Sequence, residues 1–210
     1  NIEITGCNFD EIGASAIAAP TTVKMVSVTN NYLHNIADTY NNANAIYFMK
    51  AYELDILYNS IINCAYSAVS VGWTWSWDRG APLDSINVDY VEVAYNYIEN
   101  YMYFMYDGGA IYTLGGNATI DYPEYFNFLH DNYAYCGSTG GLPECDDTPS
   151  CWYHDGASSH WYTYNNVIWV NTDYISEFSY LSLQGYDEWN DTMGQQVYNI
   201  TLENNYFINL

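Results

Sequence analysis

A short motif recurs along this 210-residue chain: an Asn, then an aromatic or variable residue, then an aliphatic one. It reads Asn8-Phe9, Asn31-Tyr32-Leu33, Asn59-Ser60-Ile61, Asn96-Tyr97-Ile98, Asn127-Phe128-Leu129, Asn166-Val167-Ile168 and Asn205-Tyr206-Phe207, with spacings of 23, 28, 37, 31, 39 and 39 residues. Short alternating strands precede most copies (Ile2/Ile4, Val26/Val28, Leu54/Ile56, Val91/Val93, Leu202), and apolar patches such as Ala45-Ile46-Tyr47, Ala68-Val69 and Ala110-Ile111-Tyr112 follow several. A repeat of this kind predicts an all-β solenoid: one right-handed parallel β-helix of about six or seven coils over residues 1–210, stacked about 4.8 Å apart. An Asn at one turn of every coil can bond the next Asn above it and tolerates the left-handed backbone of a sharp corner. A β-sandwich would not repeat one motif seven times. The longer spacings predict loops inserted at one corner, the longest over 74–89, 115–124, 137–151 and 184–196.

Composition narrows the function classes. The chain has 3 Lys plus Arg against 25 Asp plus Glu, a formal net charge of −22. Nucleic-acid binding needs cations to displace counterions, and only Lys24, Lys50 and Arg79 are present, so no nucleic-acid partner is expected. No run of 18 apolar residues predicts membrane insertion. Twenty-five Tyr, 7 Trp and 7 Phe supply a core and argue against disorder. The chain opens and closes in mid-strand alternation, which reads as a trimmed product or a segment of something longer.

Three of five cysteines, Cys136, Cys145 and Cys151, cluster and predict one short disulfide there; Cys64 reads as a buried thiol. Sequons stand at Asn117, Asn190 and Asn199 and predict exposed, glycan-bearing turns. Acidity, clustered cysteines and sequons together point to an extracellular, secreted location. No zinc spacing occurs, and no cofactor is expected; Asp146-Asp147 and Asp187-Glu188 with Asp191 offer at most a weak Ca²⁺ site.

Three stretches stand outside the repeat. Gly72-Trp73-Thr74-Trp75-Ser76-Trp77 alternates so that Trp73, Trp75 and Trp77 share one side, either as a saccharide platform or as a cover for the coil stack. Asp107-Gly108-Gly109-Ala110-Ile111-Tyr112 places a carboxylate before two glycines that allow a close approach. Tyr153-His154-Asp155-Gly156-Ala157-Ser158-Ser159-His160 occupies the equivalent place one coil on, with His154 and His160 flanking Asp155. Asp107 and Asp155 thereby come from consecutive coils, and two facing carboxyl groups are the minimum equipment of a glycosidase.

In order and spacing, Gly-Trp-x-Trp, Asp-Gly-Gly-x-Ile-Tyr-Thr-Leu-Gly and Tyr-x-Asp-x-x-Ser-Ser resemble secreted β-helix proteins of the glycoside hydrolase family 141 type, over roughly residues 59–170. The resemblance implies a polysaccharide-directed protein with Asp107 and Asp155 as catalytic acid and base or nucleophile. Trp73, Trp75, Trp77, Tyr112, Tyr153, His154 and His160 are the candidate substrate contacts. The competing reading is a structural glycoprotein, a homopolymer built by end-to-end stacking of open coils into a fibre or surface layer.

Overall fold

The computed structural model describes residues 1–72, 88–102, 104–115, 127–136, 150–156, 158–171, 179–183 and 197–209. Among these the chain is all-β, without a helix. One parallel sheet holds seven strands: β2 (Asn8–Ile12), β4 (Tyr32–Ile36), β6 (Ser60–Cys64), β9 (Tyr97–Glu99), β12 (Tyr133–Cys136), β15 (Val167–Val170) and β18 (Tyr206–Asn209), lying side by side in chain order. An eleven-stranded sheet holds β1 (Ile2–Thr5), β3 (Ile17–Thr29), β5 (Ile46–Leu57), β7 (Val69–Val71), β8 (Val88–Ala94), β10 (Gly109–Thr113), β11 (Asn127–His130), β13 (Ser150–His154), β14 (Ser159–Tyr164), β16 (Ser179–Leu183) and β17 (Tyr198–Glu203). The chain passes from one sheet to the other and back, and each strand pairs in parallel with its equivalent one pass later.

The larger sheet forks. The first part of β5 pairs with β7 and the second part with β8, so β5 feeds two tracks, β7-β10-β13-β16 and β8-β11-β14-β17. The stretches 72–87, 114–126 and 184–197 each join corresponding strands of the two tracks, whereas 137–149 joins β12 to β13. Insertions therefore fall at two junctions, which corrects the expectation of a single loop-bearing corner.

Three apolar ladders fill the interior: Leu33, Ile61, Ile98, Ala134 and Ile168; Val28, Ile56, Val93 and Leu129; and Ile46, Val69, Ile111 and Trp152, all buried. Each large aliphatic side chain so buried contributes about 1.5–3 kcal/mol by removal from water. Corners are made by residues in the left-handed region. Gly6, Asn30, Tyr58, Tyr95, Asp131, Asn165 and Asn204 form one column with φ between 50 and 64°, bonded rung to rung through backbone N–H groups. Asn serves this geometry through its short side chain; Tyr58 and Tyr95 adopt it at a cost of about 1–2 kcal/mol each.

Next to this column runs the Asn ladder. Each amide oxygen accepts from the backbone N–H one rung below, and from Asn59 to Asn205 it also accepts the amide N–H of that rung's Asn: Asn31 donates to Asn59, Asn59 to Asn96, Asn96 to Asn132, Asn132 to Asn166 and Asn166 to Asn205, at 2.9–3.1 Å. Two members differ from the expected repeat. Asn132 holds the rung assigned to Asn127, and Cys7 holds the first, bonding through its N–H to Asn31. Asn127 belongs to another column, donating to Val88 O and accepting from Val91 N. Asn8 pairs with Tyr32 and points outward.

Candidate functional site

β7, β10 and β13 bring the two carboxylate motifs together. Val69, Ile111 and Trp152 share a register position in the core, so strand alternation turns Ser70, Tyr112 and Tyr153 to the opposite face. There Tyr112, Tyr153 and Leu114 form an apolar cluster of their own. Asp107 precedes β10 and Asp155 follows β13, so the backbone alone leaves the carboxyl groups at opposite strand ends. The tyrosines close the gap by crossing. Tyr112 Oη donates to Asp155 Oδ2 at 2.6 Å, and Tyr153 Oη donates back to Asp107 Oδ1 at 3.0 Å. Their rings meet edge to face, 5.1 Å apart at 90°. Tyr66, from the connector after β6, donates to the Asp107 carbonyl oxygen at 2.6 Å.

The carboxyl groups differ in environment. Asp155 is fully buried and Asp107 half-buried. Burial raises the Asp155 pKa above the ordinary carboxylate range; bonds from Tyr112 and the Gly156 N–H oppose the shift, and the charge of Asp107 adds to it. Burial also pushes the Tyr66 and Tyr112 hydroxyls up, with Asp107 and Asp155 adding to the rise, so both phenols stay protonated donors. A carboxyl group biased toward its acid form, a second one nearer solvent and fixed phenolic donors are a set suited to general acid–base chemistry.

The glycines serve packing as well as turning. A Cβ on Gly108 would lie 2.6 Å from the Tyr66 ring and 2.8 Å from Ser67 Oγ, and one on Gly109 2.9 Å from the Ser150 and Cys151 carbonyl oxygens. The absence of side chains there makes room for neighbouring rungs. Gly72, at φ +86°, is tighter still: a Cβ would lie 1.7 Å from the Leu114 carbonyl oxygen. Gly72→Ala is expected to lower stability by at least about 2 kcal/mol, from left-handed strain plus displacement of Leu114 beside the site; a denaturant titration with midpoint unchanged would contradict it.

His154 lies on the core face between Tyr153 and Asp155. Its Nδ1 meets Thr113 Oγ1 at 2.8 Å and its Nε2 meets Thr163 Oγ1 at 3.3 Å, while Thr113 Oγ1 also meets Ser158 Oγ at 2.9 Å. Burial lowers the His154 pKa from 6.5 to about 4. The unfolded chain therefore takes up a proton at a pH where the folded chain does not, and stability is expected to fall by about 3 kcal/mol as pH drops from about 6.5 to about 4. Asp155 acts with opposite sign, its raised pKa favouring the fold toward lower pH. The check is the pH dependence of unfolding for the wild type and His154→Gln, whose slope in this window should be shallower by one proton.

His160 sits elsewhere, at φ 59° in a corner column, with Nε2 against Asn199 Nδ2 at 3.0 Å; burial lowers its pKa. The structure thus unites Asp107, Asp155, Tyr112 and Tyr153 and sets His154 and His160 in other surroundings. Trp73, Trp75, Trp77, Asn117, Asn190, Cys145 and the acidic residues Asp146, Asp147, Asp187, Glu188 and Asp191 lie outside the described residues. Asn199 is exposed. Cys136 and Cys151 are buried free thiols, so they are not joined to each other; Tyr101 Oη donates to Cys151 Sγ at 2.9 Å and bonds Cys136 as well. Among the described residues no three His, Cys, Asp or Glu side chains are grouped to hold a metal ion. Tyr66 was not anticipated: it sits in a connector, and no local pattern marks a side chain that reaches one coil onward.

No protein-family model matches the chain, and neither a curated protein nor a solved structure matches it.

Proposed function

We propose that the chain is a single right-handed parallel β-helix of about six or seven coils, secreted, and that it acts on extracellular polysaccharide as a glycoside hydrolase or sugar-binding module of the family 141 type. The observation that carries this reading is the crossed pair of Tyr–Asp bonds, which ties two carboxyl groups of unlike environment into one cluster. Asp155, kept toward its acid form by burial, is the proton donor of this reading; because it is fully buried with both oxygens bonded, its proton reaches the glycosidic oxygen, as the C1–O bond breaks, only once the Tyr112 contact opens. Asp107, nearer solvent, attacks C1 or takes a proton from the attacking water; a short carboxyl separation gives retention and a longer one inversion. Tyr112 and Tyr153 hold the carboxyl groups in place and donate to their ionised forms. A net charge of −22 suits uncharged sugars over acidic ones. The test is release of reducing ends from a panel of polysaccharides, with stereochemistry read by proton NMR. Absence of both cleavage and binding across the panel removes the reading.

A second reading has its own support. β2 and β18 are edge strands, and Ile2, Tyr206, Phe207 and Ile208 expose apolar surface at the two ends of the stack. Such edges favour another copy stacking end to end as a structural filament. Negative-stain images of the purified protein separate the two, since filaments with a regular axial repeat belong to the second and monodisperse particles to the first.

A further inference from the structure

Ser67 and Ser70 stand three residues apart and are both fully buried, yet their hydroxyls differ in what they meet. Ser67 Oγ accepts the Gly109 N–H at 3.2 Å and donates to Met102 Sδ at 3.9 Å. Ser70, the middle residue of β7, has no hydrogen-bond partner for its hydroxyl among the described residues. A hydroxyl shut away from water in this way costs stability, and such groups are rare in folded proteins. Alanine would occupy the position without that cost, so the fold alone gives no reason for serine. The place of Ser70 supplies one. Its neighbours in register are Tyr47 on β5 and Tyr112 on β10, and alternation sets it on the face of Tyr112, Tyr153 and Asp155 rather than in the core. Tyr112 reaches to Asp155 beyond β13, and β13 and β7 flank β10 on opposite sides, so its hydroxyl points away from Ser70. Gly72, which follows β7, has no side chain. The segment thus gives this face only small side chains, and Ser70 is the polar one.

We propose that Ser70 is a substrate-binding residue of the Asp107–Asp155 site and that its hydroxyl pairs with one hydroxyl group of an uncharged sugar ring. The inference rests on the polysaccharide reading above and names a specificity residue for it. Chemistry selects the ligand group. Serine offers a donor and two acceptor lone pairs at one atom, and another hydroxyl meets both roles. A carboxylate or phosphate only accepts, and it is repelled by Asp107 and by a net charge of −22. An ammonium group only donates, and the carboxyl groups of the site draw it to themselves instead. Burial sets the order of events. Ser70 is closed off in the free protein, as Asp155 is. Tyr112 stands beside the one and bonds the other, so a single movement of its side chain opens both. The incoming sugar hydroxyl then supplies a bond that the fold does not, and the contact serves binding rather than stability.

The test pairs Ser70→Ala with Ser67→Ala in the full chain. Thermal melts come first. Ser67→Ala strands the Gly109 N–H and should lower the midpoint, whereas Ser70→Ala removes an unmet group and should leave the midpoint unchanged or raise it. Hydrolysis of xylan, mannan and β-glucan is then followed, with affinity electrophoresis in the same three polysaccharides for binding. On a glycan that the wild type uses, Ser70→Ala should raise KM, or Kd where the glycan is bound without cleavage, by about tenfold, the worth of one hydrogen bond. Its kcat and the decline of its activity with rising pH should match the wild type, because a contact made equally before and during the reaction changes KM alone. Wild-type KM or Kd in Ser70→Ala overturns the proposal and leaves the polysaccharide reading in place. So does a fall in midpoint matching that of Ser67→Ala, which assigns the hydroxyl to the fold. A wild type that neither cleaves nor binds any of the three glycans removes both.

Discussion

Asn96→Ala is expected to cost about 5 kcal/mol of folding stability. Asn96 stands in the middle of the ladder and is buried. Its Oδ1 accepts both the Asn59 backbone N–H and the Asn59 amide N–H at 3.0 Å, and its Nδ2 donates to Ile56 O at 2.8 Å and to Asn132 Oδ1 at 3.0 Å. Alanine would strand two donors and one acceptor where water cannot reach them, each at about 1–3 kcal/mol. The bonds also polarise one another in series, so the loss spreads to the neighbouring rungs. The sum approaches the whole stability of a marginal domain, roughly 5–15 kcal/mol. Asn8→Ala is the control: Asn8 is exposed and outside the ladder, and its loss should change stability by less than about 0.5 kcal/mol. Denaturant titrations of both variants decide the matter, and equal midpoints would mean that the ladder is incidental to the fold.

The contrast between these two asparagines also marks where a repeat becomes legible and where it does not. Apolar alternation and a recurring Asn were enough to place strands β1, β3, β5, β8 and β10 and to anticipate a column of amides bonded to each other. The rung occupied by each Asn was harder. Asn127-Phe128-Leu129 and Asn132-Tyr133-Ala134 have the same pattern, and both asparagines are buried. What separates them is which carbonyl their amides reach, Val88 O for one and Val93 O for the other, and that depends on which sheet each strand joins. At the first rung Cys7 can stand in for Asn because the neighbouring rung needs only its backbone N–H, and a backbone group leaves no trace in side-chain identity.

The candidate site divides along the same line. Asp107 and Asp155 stood out through the glycines beside Asp107 and their equivalent places in consecutive coils. Strand alternation already put Tyr153 and Asp155 on one face and His154 on the other, so the core position of His154 could have been read from parity alone. The link between the carboxyl groups could not, because it depends on Tyr112 and Tyr153 leaning in opposite directions along their strands. Asp155 is buried and bonded on both oxygens, so its removal by alanine would injure the fold as well as any chemistry.

Asparagine is therefore the substitution that isolates chemistry at this site. In Asp155→Asn the remaining carbonyl oxygen still accepts from Tyr112, and only the Gly156 contact is lost, a cost of about 1 kcal/mol that a melt would register. If Asp155 is the general acid, turnover on polysaccharide falls by about 10²–10⁴-fold, the usual worth of a positioned proton donor. The pH profile gives the sign. Activity requires Asp155 protonated, so it declines as pH rises through the raised pKa of Asp155. Asp155→Asn removes that decline. Substrate chemistry separates the roles further. A glycoside whose leaving group is already a weak base needs no proton, so Asp155→Asn should recover most of its rate on an activated aryl glycoside. Asp107→Asn should stay inactive on the same substrate, because neither attack at C1 nor activation of water is then supplied. Full activity of both variants, or recovery by the Asp107 variant alone, would assign the crossed tyrosine–aspartate bonds to holding the rungs together and move the search for a reaction away from this cluster.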